Sequence, residues 1–230
     1  MKYSNTSIGT FIDRPNRFIA YVDVNGKKEK CHVKNTGRCK ELLIPGAKVI
    51  LDGSSDPKRS TKFDLVSVYK GNMLVNIDSQ APNKIVFESS DKIDALKDLN
   101  NIKPEFTIDD SRIDIYGEEG NRKVLMEIKG VTLETDGTAL FPDAPTERGL
   151  KHVRELEKAL EDGYETYVLF LIQMRGPDHF MPNYDMHEEF ALEVENAARK
   201  GVGILAYDCI VTEDSISLGK PIEVRFRDHS

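Results

Sequence analysis

The alternation of apolar and polar positions divides the chain into two parts. Over residues 8–80 the apolar positions fall in short runs, at 8–12, 17–24, 30–33, 48–52, 64–69 and 74–77. Each run has the length and composition of a strand. Asn25-Gly26, Pro45-Gly46 and Gly71-Asn72 separate them as turns, because these residues tolerate turn backbone angles. Residues 37–43 fit one helical turn or a short helix. Strands this closely spaced predict a small OB-like β-barrel.

Beyond residue 80 the period changes. Ala81-Pro82-Asn83 marks a break, followed by helices over 83–89 and 91–99, the second with Ile93, Leu96 and Leu99 at helical spacing. A strand over 105–108 leads into a hairpin, 111–130, and shorter strands follow at 131–134 and 138–141. Thr146 is a candidate N-cap for a helix over 147–162, whose stripe is Leu150, Val153, Leu156 and Leu160. The nearly continuous apolar run 164–174 reads as a central strand buried on both faces. A loop over 175–185, a helix over 187–200 closed by Gly201, a strand over 203–211 and edge strands complete the chain. This order predicts an α/β sandwich with a mixed sheet. The expected domains are 1–80 and 81–230.

Charge sharpens that division. The net charge of −7 argues against a nucleic-acid binder, but its distribution does not: residues 1–80 carry 14 Lys and Arg against 8 Asp and Glu, and the remainder carries 18 against 31. Lys27, Lys28, Lys30, Lys34, Arg38 and Lys40 follow the first long hairpin, with Lys58, Arg59 and Lys62 in a later loop. A groove lined this way would track a phosphate backbone; a solvated basic face is the alternative. No run of about 18 apolar residues indicates a transmembrane helix. The first residues lack the apolar segment of a signal peptide. Cys31, Cys39 and Cys209 show no zinc spacing. A cytoplasmic protein with reduced thiols is expected.

The candidate chemistry lies in the hairpin SRIDIYGEEGNRKVLMEIKG. A two-residue turn at Gly120-Asn121 pairs residue i with 241 − i, placing Asp114 opposite Glu127. Glu127 and Lys129 share a face, and Ile113, Ile115, Val124, Met126 and Ile128 form the opposite, core face. Two adjacent carboxylates repel unless a cation holds them. The set therefore predicts a Mg²⁺ or Mn²⁺ site with Lys129 positioning or deprotonating an attacking water. A surface hairpin with one salt bridge is the competing reading. In FPDAPTERG and the helix after it, Asp143 and Glu147 are further acids, while Arg148, Lys151, His152 and Arg154 are placed to hold phosphates. His179, Asp185 and His187 form only a weak transition-metal pattern. Nucleophile-elbow, Walker A and dinucleotide-loop motifs are absent.

The stretches HVKNTGRCKELLIPGAKV, LVNIDSQAPNKIVFE, SRIDIY, EIKGVTL and FPDAPTERGLKHVREL together resemble the sugar fermentation stimulation protein family across essentially the whole chain. That resemblance implies an N-terminal OB-fold domain, a C-terminal domain of the PD-(D/E)XK nuclease type, DNA as partner and a role in regulating sugar-utilisation genes. It carries the nuclease-type motif onto Asp114, Glu127 and Lys129, with the acids binding Mg²⁺. Glu88 on the first helix is the implied additional acid, and Glu105 a weaker candidate. One departure stands out: where the family often has an aromatic and a glycine before SRID, this chain has Asp109-Asp110. Three functions follow as expectations: a Mg²⁺-dependent nuclease gripping DNA with its barrel, a non-catalytic DNA-binding regulator on a nuclease-type scaffold, or a small-ligand sensor using the barrel groove.

Overall fold

The computed structural model describes residues 1–35, 37–108 and 111–228; Asp109-Asp110 lie outside them. Six strands form the first unit: β1 (Thr6–Asn16), β2 (Ile19–Val24), β3 (Lys27–Val33), β4 (Lys48–Gly53), β5 (Phe63–Lys70) and β6 (Met73–Asn76). Their order is β3-β2-β1-β4-β5-β6, and a parallel pairing of β3 with β5 closes the barrel. Closure hides edges that strands of this length would leave exposed. The Asn25-Gly26 turn has positive φ at both residues, 54° and 79°, as a tight hairpin requires. Residues 37–43 form a turn rather than a helix. Cys39 adopts φ 44°, and its carbonyl accepts from both Leu42 and Leu43.

The second unit begins with α1 (Ala81–Glu88), started by Pro82 in its first turn. The expected helix over 91–99 does not form. A 3-10 turn (Ser90–Lys92) passes into further turns, with Leu96 N–H bonded to Ile93 and Leu99 N–H to Leu96. Asp91, Asp94 and Asp98 are poor helix formers, yet Ile93, Leu96 and Leu99 are buried as their spacing requires. Next come β7 (Lys103–Ile108), β8 (Ser111–Glu119), β9 (Arg122–Val131), β10 (Leu133–Thr135), β11 (Thr138–Phe141) and α2 (Glu147–Glu161). The chain continues through β12 (Glu165–Ile172), β13 (His179–Pro182), α3 (Glu188–Lys200), β14 (Gly203–Val211), β15 (Ile216–Pro221) and β16 (Glu223–Val224). β13 occupies part of the expected loop and pairs in parallel with β11.

The main sheet is mixed, in the order β15-β14-β12-β9-β8-β7, with β12 parallel to both neighbours. Side chains alternate across β12. Val168, Phe170 and Ile172 pack in the core cluster that holds Val153 and Leu156 of α2 and Phe190 and Val194 of α3. Leu169 and Leu171 join the cluster of Ile85 on α1 with Val124, Met126 and Ile128 on β9. Both faces of the sheet are therefore covered. Barrel and sheet are also stitched together. Gln173 Nε2 donates to Asn76 Oδ1 (2.9 Å) and to the Asp78 carbonyl (3.0 Å), and Asn76 Nδ2 donates to Tyr3 Oη (2.9 Å), all within buried surroundings.

Candidate metal centre

The hairpin has the predicted register. β8 and β9 pair from Glu119–Arg122 to Ile115–Met126, every pair summing to 241, across a turn with Gly120 at φ 57°. The regular pairing ends there. The next residue, Asp114, turns a side-chain oxygen into the gap, where Oδ2 accepts the Ile128 N–H at 2.8 Å. Its other oxygen, Oδ1, accepts from Asn83 Nδ2 of α1 at 2.7 Å. α1 reaches this close because β9 has a glycine. A Cβ on Gly130 would lie 2.5 Å from Gln173 Oε1 and 2.8 Å from Pro82 Cγ.

The face carrying Glu127 is not an open charged face, which corrects the one-sided picture of the hairpin. β9 lies between β8 and β12, and its Leu125 and Val131 join the cluster with α2. Glu127 is 3% exposed. Its Oε1 receives Lys129 Nζ at 2.6 Å and His152 Nδ1 at 2.5 Å. Its Oε2 is buried and, among the described residues, has no hydrogen-bond partner. An unpaired buried carboxylate oxygen is costly.

The two acids are held in opposite electrostatic states. Burial and then the Glu127 charge push the Asp114 carboxyl up to about 6, against the pull of the Ile128 N–H, Lys129 and Asn83. Burial acts in the same sense on Glu127, but the His152 hydrogen bond and the Lys129 charge outweigh it and hold that carboxyl below its ordinary range.

The structure brings Asp114, Glu127 and Lys129 together and leaves Glu88 out. Glu88 faces the amino-terminal ammonium (3.4 Å) and Lys84 (3.7 Å). The α1 side chain at Asp114 is Asn83, five residues earlier. Glu105 pairs with Arg112 at 3.5 Å on the surface. Asp143 Oδ2 accepts the Arg38 N–H at 3.1 Å, and Glu147 faces His187 at 3.8 Å. His179 and His187 are engaged with Thr138 and the Thr146 N–H, not with one another. Among the described residues, no three His, Cys, Asp or Glu form a metal-holding group.

The phosphate-binding candidates separate into distinct environments. Lys27 and Lys28 sit at the β2–β3 turn, Lys28 lying 4.2 Å from the Tyr21 ring centre and 3.9 Å from Asp13. Lys30 is exposed on β3. Arg38 and Lys40 lie past the other end of that seven-residue strand, a run of about 20 Å at strand spacing. Lys34 is not available to a phosphate: it pairs with the buried Asp64 (3.1 Å) and Asp78 (3.8 Å), and Arg59 is likewise committed to Asp64. Lys151 pairs with Glu155 at 3.3 Å, and the exposed Arg148 places Nε 3.4 Å from His152 Nε2.

The loop bearing Arg38 is built into the site's surroundings. The Arg14 guanidinium donates to the carbonyls of Arg17, Asn35, Gly37 and Arg38 at 2.6–2.9 Å. Asn35 Nδ2 reaches the Ile77 carbonyl just before α1, at 2.9 Å. With the Arg38–Asp143 bond, the barrel loop bridges the segments that start α1, carrier of Asn83, and α2, carrier of His152.

Sequence reasoning missed two contributions. The sequence offers His152 to phosphate, yet it lies on the buried stripe with Gly149, Val153 and Leu156; its spacing from those residues carries that signal. Asn83 is an exposed polar residue in the first turn of a short helix, and nothing local marks it.

An OB-like barrel joined to a mixed-sheet α/β domain with an acidic pair at its centre defines a two-domain architecture, and comparison identifies it. The family model described as the SfsA N-terminal OB domain matches residues 12–77, and the sugar fermentation stimulation protein RE domain matches residues 80–215. The chain belongs to the sugar fermentation stimulation protein (SfsA) family. It is 54% identical to a sugar fermentation stimulation protein homolog of Desulfitobacterium hafniense, with 98% of each chain covered. It is 52% identical to that of Clostridium beijerinckii, covering 97% of this chain and 99% of the relative. The structure of Pyrococcus furiosus SfsA in complex with Ca²⁺ superposes with a TM-score of 0.87 at 25% identity, over 98% of both chains. Among the described residues, no helix is long and apolar enough to cross a membrane.

Proposed function

We propose that this protein is a divalent-cation-dependent phosphodiesterase acting on nucleic acid, with Asp114, Glu127 and Lys129 as its working residues and Mg²⁺ or Mn²⁺ as its cation. The observation that carries the reading is Glu127 Oε2, buried without a partner among the described residues, beside an Asp114 carboxyl pushed upward by burial and then by the Glu127 charge. Folding tolerates such a pair poorly without a ligand. Two carboxylates are oxygen donors suited to a hard cation that keeps several waters, so the residues present fit the group. The Pyrococcus relative's complex with Ca²⁺ agrees with that class of cation. When bound, the cation would supply Lewis-acid polarisation and charge neutralisation. Lys129 Nζ, anchored on Glu127 Oε1, is the local cation available to orient a water or to stabilise charge developing on phosphate. The exposed Arg38, Lys40 and Arg148 supply positive charge to backbone phosphates.

Non-catalytic DNA binding, as a regulator of sugar-utilisation genes, is the second reading. It is favoured by the donor set, in which Asn83 rather than a third acid reaches Asp114. The test is incubation of the full chain with Mn²⁺ or Mg²⁺ and single-stranded, duplex and branched DNA and RNA. Cleavage that disappears in Asp114→Ala supports the enzyme. Salt-sensitive DNA binding without cleavage, unchanged in Asp114→Ala, supports the regulator and overturns the enzyme.

A further inference from the structure

The two oxygens of Glu127 are treated differently, and the source of the difference lies outside the hairpin. Lys129 and His152 both bond Oε1 and neither bonds Oε2. Lys129 shares the strand with Glu127 and moves with it. His152 comes from α2, whose start is fixed by the Thr146 Oγ1 cap on the Gly149 N–H (3.0 Å) and whose Leu150, Val153 and Leu156 are buried. The ring is itself buried, at 5% exposure.

Two neighbours agree on which nitrogen carries the ring hydrogen: Glu127 Oε1 only accepts, and Arg148 stands at the other nitrogen. Arg148 Nε only donates, and it faces His152 Nε2 at 3.4 Å, one helical turn earlier. That nitrogen is then the acceptor, so Nδ1 carries the hydrogen and donates it to Glu127 Oε1. The exposed Arg148 keeps its terminal amines for solvent or phosphate.

We propose that His152, its tautomer supported by Arg148, is a positioning residue that holds Glu127 Oε1 and thereby aims Oε2 at the cation. The inference rests on the cation reading above. It adds that α2, and not the hairpin alone, sets the geometry of the site. Outer partners of metal-holding groups typically change metal affinity by 10–100-fold.

The test is calorimetric titration of the full chain with Mn²⁺ alone, for wild type, His152→Leu, His152→Asn, Arg148→Gln and Asp114→Ala, with circular dichroism confirming folding. His152→Leu fills the buried site without a donor and should weaken Mn²⁺ binding at least tenfold. His152→Asn offers an amide N–H where Nδ1 stood and should recover most of that loss. A merely structural role would not produce this rescue. Arg148→Gln, at an exposed position, should weaken binding about three-fold, and it serves as the test if His152→Leu does not fold. Wild-type affinity in both His152→Leu and Arg148→Gln overturns this inference alone, provided Asp114→Ala abolishes binding. No Mn²⁺ binding by the wild type overturns both this inference and the cation reading.

Discussion

Asp64 in the barrel and Asp114 in the sheet are both withdrawn acids, and the protein treats them in opposite ways. Asp64 is 4% exposed and meets His32 Nδ1 and Lys34 Nζ, each at 3.1 Å, and Arg59 Nη2 at 2.5 Å. Burial alone would raise its carboxyl, but hydrogen bonds from Arg59 and Lys34 bring it down to about 2. Asp114 has an amide, a backbone N–H and a like charge for company, and sits at about 6. The difference shows which carboxylate serves the fold. A structural acid is surrounded until it is satisfied, whereas among the described residues Asp114 has no ion-pair partner of its own and Glu127 keeps one buried oxygen unpartnered, the kind of perturbation that functional sites collect.

The sharpest way to break this contrast is to exchange the roles. Asp64→Ala leaves two cations, Lys34 and Arg59, and the His32 ring around an empty place. It should destabilise the protein by about 3–5 kcal/mol in urea unfolding at neutral pH. A loss below about 1 kcal/mol would show that Asp64 is no structural keystone. Asp114→Asn removes the repulsion and should stabilise the cation-free protein by about 1–2 kcal/mol at pH 7.5, while abolishing any Mn²⁺-induced rise in Tm. Destabilisation there would refute the strained-pair account.

The two acids should also part company with pH. Asp114 has a folded value near 6, above its reference of 3.8. Its protonated form therefore favours the native state: that contribution is fully present below about 3.8 and is lost as pH rises through about 6. The stability advantage of Asp114→Asn over wild type should accordingly hold nearly steady from pH 7.5 to about 6 and shrink as pH falls from about 6 toward 4. Asp64 has a folded value below the same reference, so its contribution is present above about 3.8 and is lost only as pH falls through about 2. Unfolding titrations of both variants between pH 4 and 7.5 check this, the Asp64→Ala deficit staying nearly constant. The smallest effect separates two barrel lysines. Lys34→Ala should act on stability through Asp64. Lys40→Ala should change stability by less than about 0.5 kcal/mol and lower the salt slope of DNA binding by about 1, read by fluorescence anisotropy.

The barrel, the mixed sheet and the hairpin register were legible in the sequence because each rests on local rules: alternation, turn residues and a fixed two-residue loop. The proximity of Asp114, Glu127 and Lys129 was legible for the same reason. What was not legible depends on packing between distant segments. The covered Glu127 face follows from β12 pairing with β9 some forty residues away. Asn83 rather than Glu88 reaches Asp114 because five residues of helix turn Glu88 onto a different face of α1, where it meets the amino terminus. Lys34 looked like one of a basic run until Asp64, thirty residues on, claimed it.

The seam between barrel and sheet bears on how this protein can be taken apart. The two matched domains meet between residues 77 and 80, which invites separate expression of each half. Yet Asn76, on the barrel side, is fully buried, and its Oδ1 is the acceptor for Gln173 from the other half. Severing the chain there would strip partners from polar atoms that have no access to water in the intact protein, and would cost the barrel loop the acceptor that Asp143 offers the Arg38 N–H. What looks like two modules in tandem shares buried hydrogen bonds across the seam, and an isolated half is a poor stand-in for the intact chain.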